Sequence, residues 1–209
     1  MIKSKKENLF IGIKKKDTFI TNNWTGGTTT QLLIYPESGD YGKENFKWRV
    51  STARVEAQES TFTNLPGISR IIMILKGCLK LEHEKHHSVE LKPYETDSFE
   101  GDWVTKGVGK VTDFNLMMGD GVKGELGYIK ITSFQKHEIL IADNNKWFDN
   151  STQFYYCPYG NMRIMISEVE YRLNSGDIMY ITGKKNEIML EFLNDCEDDI
   201  IVVRGEVLY

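Results

Sequence analysis

No stretch of this chain stays apolar for long. None approaches the ~18 residues that a membrane-spanning helix needs, so no membrane association is expected. The start "MIKSKKENLF" carries positive charge but no apolar core after it, which argues against a secretory signal. Cysteine is sparse: Cys78, Cys157 and Cys196 are far apart, odd in number and form no CxxC pair. Reduced, buried thiols in a cytoplasmic protein are the simplest expectation. Positive charge is not in excess either, with 26 basic against 30 acidic residues and a net charge of −4. A chain without a positive field has little to hold a phosphate backbone, so nucleic-acid partners are not expected. The lysines of "KSKKENLFIGIKKKD" make one local basic patch, read as a solvated strand or tail.

Helical periodicity is missing too. What recurs is short β-branched or aromatic runs separated by Gly, Asn, Asp and Pro: "LFIGI", "QLLIYP", "FKWRVSTARV", "RIIMIL", "DFNLMM", "GYIKITSF", "RIMISEV", "EIMLEFL" and "IIVVRGEVLY" among them. Such spacing predicts an all-β sandwich or barrel. Two stretches share a cadence, "VELKPYETDSFEGD" from Val89 and "YRLNSGDIMYITG" from Tyr171. The run from Leu173 to Asp177 has a looser counterpart from Leu91 to Asp97, which suggests two copies of one β-barrel unit. The polar stretch at residues 136–153 is the expected junction, dividing the chain into residues 1–135 and a smaller unit at 136–209.

Chemistry-bearing motifs are mostly absent. "GDGVKGELG" lacks the order of a phosphate-binding loop, and there is no GxSxG, no HExxH and no cysteine beside an activating histidine. His83, His86 and His87 cluster in "LEHEKHHSVEL", which reads as an exposed charged hairpin. Lys85 stands where a second histidine on the same strand face would be needed, so no metal and no cofactor is expected.

Two strands nevertheless carry polar groups opposite a heavy apolar face. In "FKWRVSTARVE", Trp48 and Val50 oppose Arg49, Ser51 and Ala53, because successive side chains of a strand point to opposite faces. In "TDFNLMM", Phe114, Leu116 and Met118 oppose Asp113, Asn115 and Met117. Either both polar faces meet water, or they converge inside a barrel. There Arg49 would meet Asp113 or an anionic ligand through its planar fork. Arg70 shares parity with Ile72 and Ile74, so it is either buried with a partner or at the strand mouth, reaching out to water. "NNWTGGTTTQ" adds glycines for close backbone approach and hydroxyls such as that of Thr29.

Taken in order, these motifs resemble the HutD/Ves family of cupin-like proteins. The likeness rests on Trp24 with Gly26-Gly27 and Thr29; on Trp48-Arg49-x-Ser51-x-Ala53; and on Phe62 with Leu65-Pro66-Gly67 and Arg70. Phe99-x-Gly101-Asp102 and Asp113-Phe114-Asn115-x-Met117 complete it. It covers residues 20–118; beyond about residue 125 only the strand cadence continues. The glycine segment after Trp24 is a residue or two shorter than the family's usual form. The resemblance implies a double cupin (two double-stranded β-helix barrels in one chain) without the usual metal histidines. It implies a non-catalytic protein linked to histidine utilisation, binding a metabolite such as formiminoglutamate or a formylated amino acid. Arg49, Ser51, Arg70, Asp113 and Asn115 match the motif positions that would line its pocket, with Thr29 as a further hydrogen-bonding group. The alternative is a cupin-type isomerase or hydrolase with Asp113 as general base. The expected partner is a small acidic metabolite, and a homodimer is a further expectation.

Overall fold

A computed structural model of the chain describes residues 9–142, 147–183 and 187–209. In chain order the strands are β1 (Phe10–Lys14), β2 (Ile20–Trp24), β3 (Gly27–Tyr35), β4 (Trp48–Val55), β5 (Glu59–Thr61) and β6 (Ser69–Lys76). Next come β7 (Leu79–His83), β8 (Ser88–Leu91), β9 (Thr96–Glu100), β10 (Thr105–Val108), β11 (Val111–Met118) and β12 (Lys123–Ile131). The last are β13 (Lys136–Ala142), β14 (Ser151–Tyr156), β15 (Met162–Ile166), β16 (Val169–Leu173), β17 (Ile178–Thr182), β18 (Glu187–Leu193) and β19 (Ile200–Leu208). Helix among the described residues is limited to two 3₁₀ turns, Lys16–Thr18 and Tyr41–Lys43, and none is long and apolar enough to cross a membrane. The all-β expectation holds.

The chain forms two compact units, one of residues 19–127 and one combining the N-terminal segment up to Thr18 with residues 128–209. Sequence reading put the division at 135/136. The actual boundary falls inside β12, where no turn or polar linker marks it. The N-terminal segment goes with the later residues because all of β1 pairs antiparallel with β17, from Phe10 opposite Thr182 to Lys14 opposite Ile178. Of the polar stretch expected as the junction, residues 136–142 are β13, whereas residues 143–146 lie outside the described residues. Of the basic patch, Lys14 to Lys16 are described and the lysines before residue 9 lie outside.

The 19–127 unit has a six-stranded sheet, β2-β3-β4-β11-β6-β9, and a four-stranded sheet, β5-β10-β7-β8. One apolar cluster draws on both: Ile72, Ile74, Val55 and Val111 from the first, Leu79, Leu81 and Leu91 from the second. The other unit has a five-stranded sheet, β1-β17-β14-β19-β12, and a four-stranded sheet, β13-β18-β15-β16. Its core joins Tyr155, Met179 and Val202 to Ile164, Leu190 and Phe192. The units thus repeat one architecture of two facing sheets.

The repeat is closer in register than the sequence suggests. Asp177 accepts from the Asn174 N–H at 3.0 Å, and its own N–H donates to the Asn174 carbonyl. In the earlier copy Glu95 accepts from the Lys92 N–H at 2.8 Å and donates back in the same way. The counterpart of Asp177 is therefore Glu95, not Asp97, and both acids stand four residues after a buried leucine, Leu91 or Leu173. The third residue of each turn has positive φ: Tyr94 at 69° and Gly176 at 87°. The extra backbone strain of a tyrosine there hides the likeness from a residue-type comparison.

All three cysteines are free, but only Cys157 is buried. Cys78 lies in the turn between β6 and β7, and Cys196 in the loop after β18, so flanking apolar strands do not enclose them as expected.

Candidate functional site

The six-stranded sheet buries both faces of its central strands. Trp48 and Val50 are buried on one side of β4, and Arg49 and Ser51 on the other, with the arginine 3% exposed. β11 behaves alike: Phe114 and Leu116 are fully buried, and so nearly are Asp113 and Asn115. Strand register then aligns the polar groups in rows. Met117 lies between Arg49 of β4 and Arg70 of β6; Asn115 lies between Ser51 and Ile72; Asp113 lies between Ala53 and Ile74. The inner face thus carries two arginines at one end and an aspartate between apolar neighbours at the other.

That face lines a cavity of about 340 Å³. Thr29, Arg49, Ser51, Arg70, Asp113 and Asn115, the six residues singled out from sequence, all border it. This answers the question of the polar faces: they converge in a sheltered space. Arg49 does not pair with Asp113. Its Nε donates to Gln31 Oε1 at 2.9 Å, and Nη1 donates to Ser51 Oγ at 3.0 Å. The guanidinium lies 4.5 Å from the Tyr41 ring centroid. Arg70, also buried, donates from Nη2 to Asn115 Oδ1 at 3.1 Å and sits 4.9 Å and 5.1 Å from the ring centroids of Phe62 and Phe99. Asn115 in turn donates to Asp113 Oδ1 at 2.6 Å. Asn115 is therefore the link between cation and acid.

Neither guanidinium has a carboxylate within ion-pair distance among the described residues. Arg70 Nε, although buried, has no hydrogen-bond partner among them. A buried donor left without an acceptor costs about 1–3 kcal/mol. Burial also lowers the affinity of both arginines for their protons, to about 10 for Arg70. Burial pushes Asp113 the other way, up to about 6, against the opposing pull of the Asn115 hydrogen bond and the Arg70 charge. The site has two cations, one weakened acid and an unused donor, which is a setting for a bound anion.

Sequence reasoning missed several wall residues. Tyr41 comes from the 3₁₀ turn capped by Asp40, whose side chain accepts from the Gly42 N–H at 2.8 Å. Gln31, outside the lining, holds Arg49 from β3, next to the register shift between Gln31 and Leu33. Asn22, Asn23 and the stretch Ser60–Thr63 complete the walls. Of these, only Phe62 is singled out by the sequence, through its place in a motif. Among the described residues the lining includes no histidine, cysteine or glutamate, so they offer no set of metal ligands of the usual kind there.

Comparisons with known proteins agree with this fold. A conserved protein of unknown function from Pseudomonas aeruginosa PAO1 superposes with a TM-score of 0.80 at 18% identity, covering 96% of this chain and 100% of that one. HutD from Pseudomonas fluorescens SBW25, in a formate condition, gives a TM-score of 0.69 at 17% identity over 94% and 98% of the two chains. A vicilin from Solanum melongena gives 0.66 at 11% identity over 94% and 84%. At these identities the likeness is one of fold, and the fold is of the cupin type. The sequence itself matches the HutD family model over residues 16–197, which is most of its length, and on that ground the chain belongs to the HutD family.

Proposed function

We propose that the 19–127 unit is a metal-independent receptor for a small acidic metabolite, acting as a sensor or regulatory binding protein rather than as a catalyst. The observation that carries this reading is the pair of buried guanidiniums without carboxylate partners among the described residues, one of them with an idle Nε. Arg49 and Arg70 would take a ligand carboxylate. Ser51, Asn115 and Thr29 would orient it, and Asp113 would accept from an amino, formimino or formamido N–H. Formiminoglutamate and formylated amino acids combine these groups in a size that suits a cavity of about 340 Å³. The vicilin neighbour is described as holding different anionic ligands in structurally similar pockets, which is in keeping with an anion here.

Calorimetry with formiminoglutamate, N-formylglutamate and glutamate tests the reading. One-to-one binding is expected, weakened about 10- to 100-fold in Arg49→Ala, as loss of a charge-assisted hydrogen bond requires. Absence of heat with every acid, or equal affinity in the variant, overturns it. One observation favours a second reading. A carboxyl raised to about 6 is suited to accept a proton near neutral pH, so Asp113 has the character of a general base. Asp113→Asn separates the two: lost turnover with retained affinity would mark an enzyme.

A further inference from the structure

The hairpin joining β7 to β8 carries a second constellation, apart from the cavity. His83 ends β7 and is 3% exposed, whereas residues 84–88 of the turn are exposed, as the sequence suggests. Its Nε2 is 2.9 Å from Asp97 Oδ2 on β9. The turn through Lys85, which has φ 65°, brings His87 back opposite His83, whose N–H donates to the His87 carbonyl at 2.9 Å. His87 Nε2 thereby reaches the same carboxylate, 3.1 Å from Oδ1 and 3.3 Å from Oδ2. One donor atom from each of the three residues lies within 4.8 Å of the others.

We propose that His83 Nε2, His87 Nε2 and an Asp97 carboxylate oxygen bind a divalent transition-metal ion of the zinc class. Three features carry this. The first is proton placement. Thr105 sits opposite His83 in the β7–β10 register, and its hydroxyl lies 2.8 Å from His83 Nδ1 and donates to the Trp103 carbonyl at 3.4 Å. When Nδ1–H donates to that hydroxyl, the Nε2 lone pair faces the carboxylate. In that tautomer Nε2 and Asp97 Oδ2 are two acceptors 2.9 Å apart, a gap that a metal cation bridges.

The second feature is spacing. Tetrahedral zinc with bonds of about 2.0–2.1 Å holds its ligand atoms roughly 3.3 Å apart, so the two nitrogen–oxygen separations, 2.9 Å and 3.1 Å, need to open by only a few tenths of an ångström. The third is the surroundings. Thr105 fixes the ring of His83 from behind, as outer partners of metal-bound histidines do. Trp103, stacked 3.7 Å from the His86 ring, presents its edge to His83 and His87. Two imidazoles favour zinc-class ions over calcium or magnesium, and three protein ligands leave a position for water. The pattern sought in sequence was two histidines at i and i+2 on one strand. Here a hairpin turn delivers the second at i+4 and the next strand brings the acid.

Zinc chloride titrated into the untagged, chelator-treated full chain tests this by calorimetry, with cobalt(II) absorption as a second readout. The expected result is one ion per chain, a visible cobalt spectrum of a four-coordinate site, and at least tenfold weaker binding in both His87→Gln and Asp97→Asn. His87 is on the partly exposed turn and Asp97→Asn preserves shape, so both variants should fold, which circular dichroism without metal verifies. No uptake by the wild-type chain, or uptake that both folded variants retain (as at the exposed Cys78 or Cys196), overturns the proposal.

Discussion

Asp113 is an acid held where its charge is poorly solvated, and that fixes the sign of its effect on stability. Its native pKa is raised to about 6 from an ordinary 3.8, burial being the largest cause. The folded state therefore holds a proton that the unfolded chain releases between those values. The stability tied to that proton is complete below about pH 3.8 and is lost as pH rises through about 6, at a cost of about 3 kcal/mol. Asp113→Asn keeps an acceptor for Asn115 and removes the ionisation. The variant should be the more stable at pH 8, by about 1–3 kcal/mol, with the gap closing toward pH 4. Urea unfolding across that range checks it, and a gap independent of pH would count against the buried-acid account. At this scale the sequence was informative about polarity but not about pairing. Arg49, Asp113 and Asn115 stood out because charge and amide opposed Trp48 and Phe114 on alternating strands. Which groups touch was not legible, since parity assigns a face and says nothing of neighbours on other strands. That Asn115 joins Arg70 to Asp113, and that Gln31 holds Arg49, follows only from the register.

At the scale of elements, alternation made β4 and β11 readable, and the turns were the obscure part. Gly101 shows what a motif glycine does. Its N–H donates to the Ile68 carbonyl at 2.7 Å, and its carbonyl accepts from the Leu65 N–H at 2.8 Å. A Cβ at Gly101 would overlap the Leu65 carbonyl oxygen and press on that of Ile68. The sequence-distant pieces Leu65-Pro66-Gly67 and Gly101-Asp102 therefore form one backbone clasp just before Arg70. Gly101→Ala should destabilise the chain by about 2 kcal/mol or more and weaken ligand binding through Arg70, measured by thermal unfolding and calorimetry on the same variant. Equal stability would mean that the clasp is not needed. The paired turn acids predict a second effect. Burial works against the charge of Asp177, but hydrogen bonds from Lys15 Nζ at 2.9 Å, Lys16 N–H at 2.9 Å and Asn174 N–H outweigh it and hold the carboxyl below its usual range. Its stabilisation is present above about pH 3.8 and fades as pH falls below it, opposite in sign to that of Asp113. Asp177→Ala should cost about 2–4 kcal/mol at pH 7, because three donors lose their acceptor, and progressively less in acid.

At the scale of the whole molecule, two units of like architecture differ in what fills them. The interior of the unit that contains residues 128–209 is occupied by aromatic and aliphatic side chains: Tyr155 and Phe192 meet with ring centroids 5.1 Å apart. The Tyr155 hydroxyl is spent on Gln153 at 3.0 Å, and a cavity of only about 10 Å³ lies between that glutamine, Ile181 and Ile188. The 19–127 unit instead leaves about 340 Å³ beside two arginines. The ligand-sized cavity thus belongs to the 19–127 unit, a difference that the shared strand cadence alone could not tell. Apolar residues at the same alternation serve equally as a filled core or as the wall behind a cavity. A ligand that binds only the native hollow unit stabilises it by about 2.7 kcal/mol at a hundred times its dissociation constant. Hydrogen exchange with and without N-formylglutamate should then show slowing, of the order of a hundredfold, centred on β3, β4, β6 and β11, with β14, β15 and β18 little changed. Slowing centred on the filled unit would move the binding site out of the arginine-lined cavity, because exchange protection follows the backbone whose opening releases the ligand.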